Sequence, residues 1–326
     1  MWLIGLGWLV WSSVVSAEAA QLNAAPLSTD AEQARLRQRG EYLSHVAGCH
    51  ACHTDHRQSS RLHGGPVPSV PDPQTAELAG GAPIQTPFGI FYPPNITPDP
   101  DTGIGGWSDA EFAKALQHGM APDGHRYYPV FPYTSYARLR ADDVLALKRY
   151  LDQVTPVSRV NTAHELKGFA CLPALLGVWQ WLNVKPAWTA LPATASATER
   201  DGAYLVEAVA HCGECHSPRD GIGGLQLAHW LRGARLASGH QASNLTPHPD
   251  GIAAWSADEL AEYLQTGHTD MGAKAHHEMR EFVDYAGRYL TEPDRAAIAA
   301  YLLALPARPE RKPCPQTGPR LRRCLQ

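Results

Sequence analysis

Apolar residues recur at helical spacing in several separate runs. Two of them, Phe112 to Leu116 and Leu260 to Leu264, each follow a capping box, Ser108 with Glu111 and Ser256 with Glu259. In such a box the Ser oxygen accepts from an orphan backbone N–H and the Glu reaches back to the cap. Each run ends near a glycine, Gly119 or Gly267, placed as a helix C-cap. Two further helices share one template: residues 4, 7 and 8 positions after Asp143 are Leu147, Tyr150 and Leu151, and after Asp294 they are Ile298, Tyr301 and Leu302. Asp142, Asp143 and Asp294 put negative charge at helix starts, where the dipole favours it. Leu175, Leu176, Trp179 and Leu182 fit one face of another helix, with Pro173 near its start. No stretch alternates convincingly as a strand. The pattern predicts an all-α fold of short helices joined by long loops, in keeping with 28 Gly and 27 Pro.

The helices belong to a repeat. Gly40-Glu-Tyr42-Leu43 precedes Cys49-His-Ala-Cys52-His53, and Gly202-Ala-Tyr204-Leu205 precedes Cys212-Gly-Glu-Cys215-His216. Asn95-Ile-Thr-Pro98 then matches Asn244-Leu-Thr-Pro247, and Trp107-Ser-Asp-Ala-Glu111 matches Trp255-Ser-Ala-Asp-Glu259. Two tandem copies of one domain account for this order, over residues 36–156 and 198–306. They are joined by a helical linker, 157–197, and followed by a Pro/Arg-rich tail, 307–326. Trp107 and Trp255 read as core aromatics. Asn95-Ile-Thr97 and Asn244-Leu-Thr246 match the glycosylation sequon, but their equivalent places favour a structural turn.

A length of 326 residues suits two domains at about 150 residues each. Hydrophobic residues at 44% and charged residues at 18% exclude wholesale disorder. A net charge of −4, drawn from 28 basic and 32 acidic residues, excludes nucleic acid as the main partner. Trp2 to Val15 is uncharged and mostly apolar, and Val15-Ser16-Ala17 resembles a signal-peptidase site. Residues 1–17 therefore read as a signal peptide, or, lacking a basic start, as an atypical anchor. The expected location is the periplasm, with attachment to the inner membrane allowed. In that oxidising compartment Cys314 and Cys324 are expected to pair, leaving Cys171 single and buried.

The Cys-x-x-Cys-His motif carries the chemistry. Two Cys at i and i+3 share a helical face and can each bond a porphyrin vinyl group, while the next His ligates the iron. Zinc would pair Cys-x-x-Cys units 15–20 residues apart, about the usual spacing; Cys49 and Cys212 are 163 apart. A thioredoxin-like pair needs a βαβ context, and a plain disulfide does not explain the His. Two covalent haem c groups are expected, with Cys49, Cys52, Cys212 and Cys215 holding them and His53 and His216 ligating iron. Met279, 12 residues after Gly267, is the expected sixth ligand of haem 2, with Met271 its rival. At the same offset after Gly119 stands Phe131, which cannot bind iron. Haem 1 is left to Met120, His125 or His118, or to an open site. Most other His, His50 included, are expected at the surface.

The run from Asn95 to Ser108, Tyr128-Pro-Val-Phe-Pro-Tyr133, and Asp143 to Leu151 resembles multihaem cytochrome c subunits of bacterial periplasmic dehydrogenases. Those subunits serve quinoprotein alcohol dehydrogenases and molybdenum-dependent aldehyde and N-heterocycle oxidoreductases. The resemblance implies electron transfer from a periplasmic dehydrogenase to a quinone, a membrane oxidase or another cytochrome. The alcohol dehydrogenase subunits carry Met where this chain has Phe131, and usually three haem motifs; a two-haem relative is the better match. The alternative is a dihaem enzyme, of peroxidase or thiosulfate-oxidising type, with substrate at haem 1. A haem-based ligand sensor is a third reading.

Overall fold

The computed structural model describes residues 29–55, 76–270 and 272–310. The N-terminal apolar run, Met271 and the Cys314–Cys324 pair lie outside the described residues. In the first half, helices α1 (Asp30–Val46) and α2 (Cys49–His53) precede strands β1 (Ile84–Thr86) and β2 (Gly89–Phe91). Helices α3 (Asp109–His118), α4 (Tyr133–Tyr136) and α5 (Ala141–Leu151) follow. The connection holds β3 (Glu165–Leu166) and α6 (Ala174–Asn183). The second half holds α7 (Ala197–Tyr204), α8 (Gly213–His216), β4 (Arg232–Arg235), β5 (Gln241–Asn244), α9 (Ala257–Thr266), α10 (His277–Tyr285) and α11 (Glu292–Ala304).

The all-α expectation is overturned. Strands β1, β2 and β3 form an antiparallel sheet, with Ile84 opposite Phe91 and Gly89 opposite Leu166, and β4 and β5 form a hairpin. The strands span two to four residues, too few to leave an alternating pattern, yet they pair loop amides and carbonyls that would otherwise lack partners. The connection is also more than a helix, since β3 adds an edge strand to the first-half sheet.

The capping boxes at Ser108 and Ser256 form, and Gly119 and Gly267 close their helices in the left-handed conformation. A third box, Ser196 with Glu199, starts α7. In each half the first helix crosses the last, α1 on α5 and α7 on α11. Glycine makes the crossing close: a Cβ at Gly40 would stand 1.9 Å from the Ala146 carbonyl oxygen, and one at Gly202 2.0 Å from that of Ala297. The second half has one more residue than the first between this glycine and the motif, and Leu205–Val209 winds as a π-helical turn that takes it up.

The halves exchange contacts. The Tyr204 hydroxyl donates to Asp143 Oδ2 at 2.5 Å, and the Tyr42 hydroxyl donates to Asp294. Tyr204 and Asp294 belong to the second half, Tyr42 and Asp143 to the first, so one pair occurs twice with the halves interchanged. Such reciprocity is the mark of a twofold arrangement. Arg39 adds two bonds to Asp143, at 2.8 and 2.9 Å. Buried apolar side chains of both halves form one continuous core.

Candidate haem-attachment sites

Each Cys-x-x-Cys-His segment begins after a residue in the left-handed region, Gly48 with φ 74° and His211 with φ 41°. His211 Nε2 lies 3.3 Å from the Ala47 carbonyl oxygen, which also accepts from Tyr136 at 2.6 Å, so the two motif entrances adjoin. The motif histidines are held alike. His53 Nδ1 lies 2.8 Å from the Pro94 carbonyl oxygen and His216 Nδ1 lies 2.7 Å from that of Ser243. A carbonyl only accepts, so each Nδ1 carries the proton and each Nε2 keeps its lone pair for a metal. Burial lowers both imidazole pKa values, favouring the neutral ligand form.

Pro94 and Ser243 are held by the turns that follow them. Asn95 Oδ1 accepts from the Thr97 amide at 2.9 Å, and Asn95 Nδ2 donates to the Val157 carbonyl at 2.7 Å. Asn244 repeats this with Thr246 at 2.8 Å and the Arg308 carbonyl at 2.7 Å. Both Asn are buried, so these sequons are structural turns rather than glycan acceptors.

All four motif thiols are free; Cys52 and Cys215 are exposed, Cys49 and Cys212 partly so. Cys49 and Cys212 pack against the core. Burial pushes Cys49 and Cys212 up to about 12, helped by the second thiol of each pair. Burial and Glu281 push Cys52 up to about 11; burial, Glu214 and Glu278 do the same to Cys215. A reactive redox pair would need a lowered thiol pKa. Free thiols one helical turn apart, beside a His with an unused Nε2, fit the attachment and ligation of haem c.

The match to a known protein decides the family. The chain is 40% identical over 270 residues to the diheme cytochrome c-type protein of Cereibacter sphaeroides, covering 82% of this chain and 86% of that one. The chain belongs to the dihaem c-type cytochromes. It is also 36% identical over 278 residues to the fructose dehydrogenase cytochrome subunit of Gluconobacter japonicus, covering 83% of this chain and 53% of that subunit. With the gluconate 2-dehydrogenase cytochrome c subunit of Pantoea cypripedii it shares 33% identity over 306 residues, covering 91% of this chain and 65% of the subunit. The cytochrome thus spans about half to two thirds of these dehydrogenase subunits. No family model matches it.

Met279 lies on α10, half-buried against the core beside Phe282. Glu278 and Glu281 of the same helix act on Cys215 and Cys52 respectively, so α10 passes both motifs. Phe131 packs edge-on against Tyr127 and Tyr136, at 5.7 Å between ring centres in both cases. Of the other candidates at the first site, His125 is exposed with Nδ1 2.6 Å from Asp123. His118 is half-buried in the last turn of α3, and Met120 lies in the turn beyond, its backbone bridged to Arg126.

His50 is buried, against the expectation of a surface residue: it stacks on His45 at 4.1 Å, and its Nε2 meets Ser44 at 3.2 Å and Tyr150 at 3.3 Å. Sequence reasoning also missed Glu214, whose carboxylate accepts from Thr134 at 2.9 Å and Ser135 at 3.0 Å and pairs with Arg219. It ties the Phe131 segment to the second motif. The available signal was a charged residue inside the second motif where the first has Ala51.

Proposed function

We propose that the chain is a periplasmic electron-transfer cytochrome with two covalent haem c groups, taking electrons from a dehydrogenase and passing them to a quinone, a membrane oxidase or another cytochrome. The reading divides the chain into cytochrome c domains at 36–156 and 198–306. Cys49 and Cys52 would hold one haem and Cys212 and Cys215 the other, with His53 and His216 as proximal ligands and Met279 as the sixth ligand of the second. Haem supplies one-electron chemistry. The protein fixes each proximal imidazole through a backbone carbonyl, packs the first cysteine of each motif against the core, and joins the two halves through the Tyr–Asp exchange. The observation that carries the reading is the matched pair of His Nδ1 contacts, to Pro94 and Ser243, in a chain 40% identical to a diheme cytochrome.

A second reading, a dihaem enzyme, draws on Phe131. With an aromatic ring where the second half has Met279, an iron at His53 would be open to a small molecule. The test uses the full chain matured in a haem-attaching host. Intact mass should show two added haems, and Met279→Ala should abolish the methionine–iron charge-transfer band while both haems remain. Fewer than two haems, or an unchanged band, overturns the assignment. Rapid cyanide or carbon monoxide binding to the ferric or ferrous haem at His53 would favour the enzyme.

A further inference from the structure

Helix α6 is apolar except for Gln180 and Asn183 and carries no charge, a composition that ordinarily marks a helix enclosed by protein or lipid. Its inner face is enclosed: Leu176 and Trp179 are buried, Trp179 Nε1 donates to the Ile222 carbonyl at 2.8 Å, and Gln180 Nε2 donates to that of Gly119 at 3.1 Å. Its outer face is not. Val178 is 57% exposed and Trp181 69%, and Leu172, Leu175, Leu182 and Trp188 of the same segment are exposed as well. Six of the ten exposed large apolar residues of the described chain fall within 172–188.

The patch covers roughly 600 Å², taking about 150–250 Å² for a whole side chain; a monomer rarely leaves so large an area bare. A stable protein pair uses about 800 Å² per partner, so the patch is small for a second copy. Its charge is one-sided. From Lys167 to Thr198 the chain holds two cations, Lys167 and Lys185, and no acid. Lys185 Nζ lies 3.4 Å from the Trp181 carbonyl oxygen, which keeps the cation on the apolar face. Asp220, close by, is turned into its own loop, accepting from the Ile222 and Gly224 amides at 3.0 and 2.9 Å.

We propose that the outer face of α6 docks on the anionic surface of a lipid bilayer, with Trp181 and Trp188 at headgroup level and Lys167 and Lys185 meeting lipid phosphates. The inference is independent of haem. Helix α6 packs on both halves, with Trp179 edge-on against Tyr133 of the first and hydrogen-bonded to Ile222 of the second, so docking there would bring the seam between the halves to the lipid.

Oxidative footprinting of the full chain, read by mass spectrometry with and without phosphatidylcholine–phosphatidylglycerol vesicles, tests the proposal. Trp181 and Trp188 oxidation should fall several-fold on vesicle addition. Leu175→Ser with Val178→Ser should remove the protection while leaving the circular dichroism and Soret spectra unchanged, and Lys167→Gln with Lys185→Gln should remove its dependence on phosphatidylglycerol. Equal oxidation with and without vesicles overturns the proposal, including the case in which the N-terminal run alone holds the chain to lipid. Protection that follows protein concentration without lipid assigns the face to a second copy and also overturns it.

Discussion

Tyr204→Phe removes one hydroxyl from the seam between the halves, and its cost can be worked from the contacts. The hydroxyl donates at 2.5 Å to Asp143 Oδ2, while the Asp143 side chain keeps both bonds from Arg39. The carboxylate is therefore not left unpaired. The Tyr204 oxygen also accepts from the Arg140 amide at 3.2 Å, a longer bond to a neutral donor that adds less. The larger loss is one charge-assisted hydrogen bond, worth about 2 kcal/mol. At about 2 °C per kcal/mol for a chain of this size, the melting temperature should fall by roughly 4 °C. Calorimetry and urea denaturation of the haem-loaded chain at neutral pH measure it. A double-mutant cycle with Asp143→Asn should return most of the loss as coupling energy. Tyr42→Phe should cost less, because Asp294 is less buried. A Tyr204→Phe protein within ~0.5 kcal/mol of the wild type, or a cycle without coupling, would refute the reasoning.

Gly40→Ala and Gly202→Ala should each destabilise by about 2 kcal/mol or more, since the new methyl displaces a helix backbone; Gly221→Ala, with nothing within 4 Å, should be near neutral in the same melts. Burial opposes the charge on Asp143, but the bonds from Arg39 and Tyr204 outweigh it and hold its pKa below the ordinary value. Its contribution is therefore complete above about pH 5 and is lost as pH falls through about 4 and below. Asp143→Asn should flatten that part of an acid-unfolding curve, and a curve of unchanged shape would count against the assignment.

Much of the helical frame is legible in the chain. Ser108, Ser256, Gly119 and Gly267 do what their residue types and spacing imply, because capping is local chemistry. The strands escape because Ile84–Thr86 or Gln241–Asn244 is defined by its partner rather than by its own pattern. His50 escapes because its burial depends on His45 and on Tyr289, stacked on His45 at 3.7 Å from the other half. Tyr42, Tyr204, Asp143 and Asp294 stand out as equivalent positions of the repeat, but the sequence cannot say that each tyrosine reaches the aspartate of the opposite copy. The π turn was visible in principle: seven positions separate Tyr42 from Cys49 and eight separate Tyr204 from Cys212.

A covalent connection changes what the Tyr–Asp exchange can do. Two separate chains held by the same contacts would part on dilution. Here residues 157–197 keep the facing surfaces at an effective concentration of about the mM range. The spacing and orientation of the two Cys-x-x-Cys-His segments thus become intramolecular properties, independent of how much protein a cell makes.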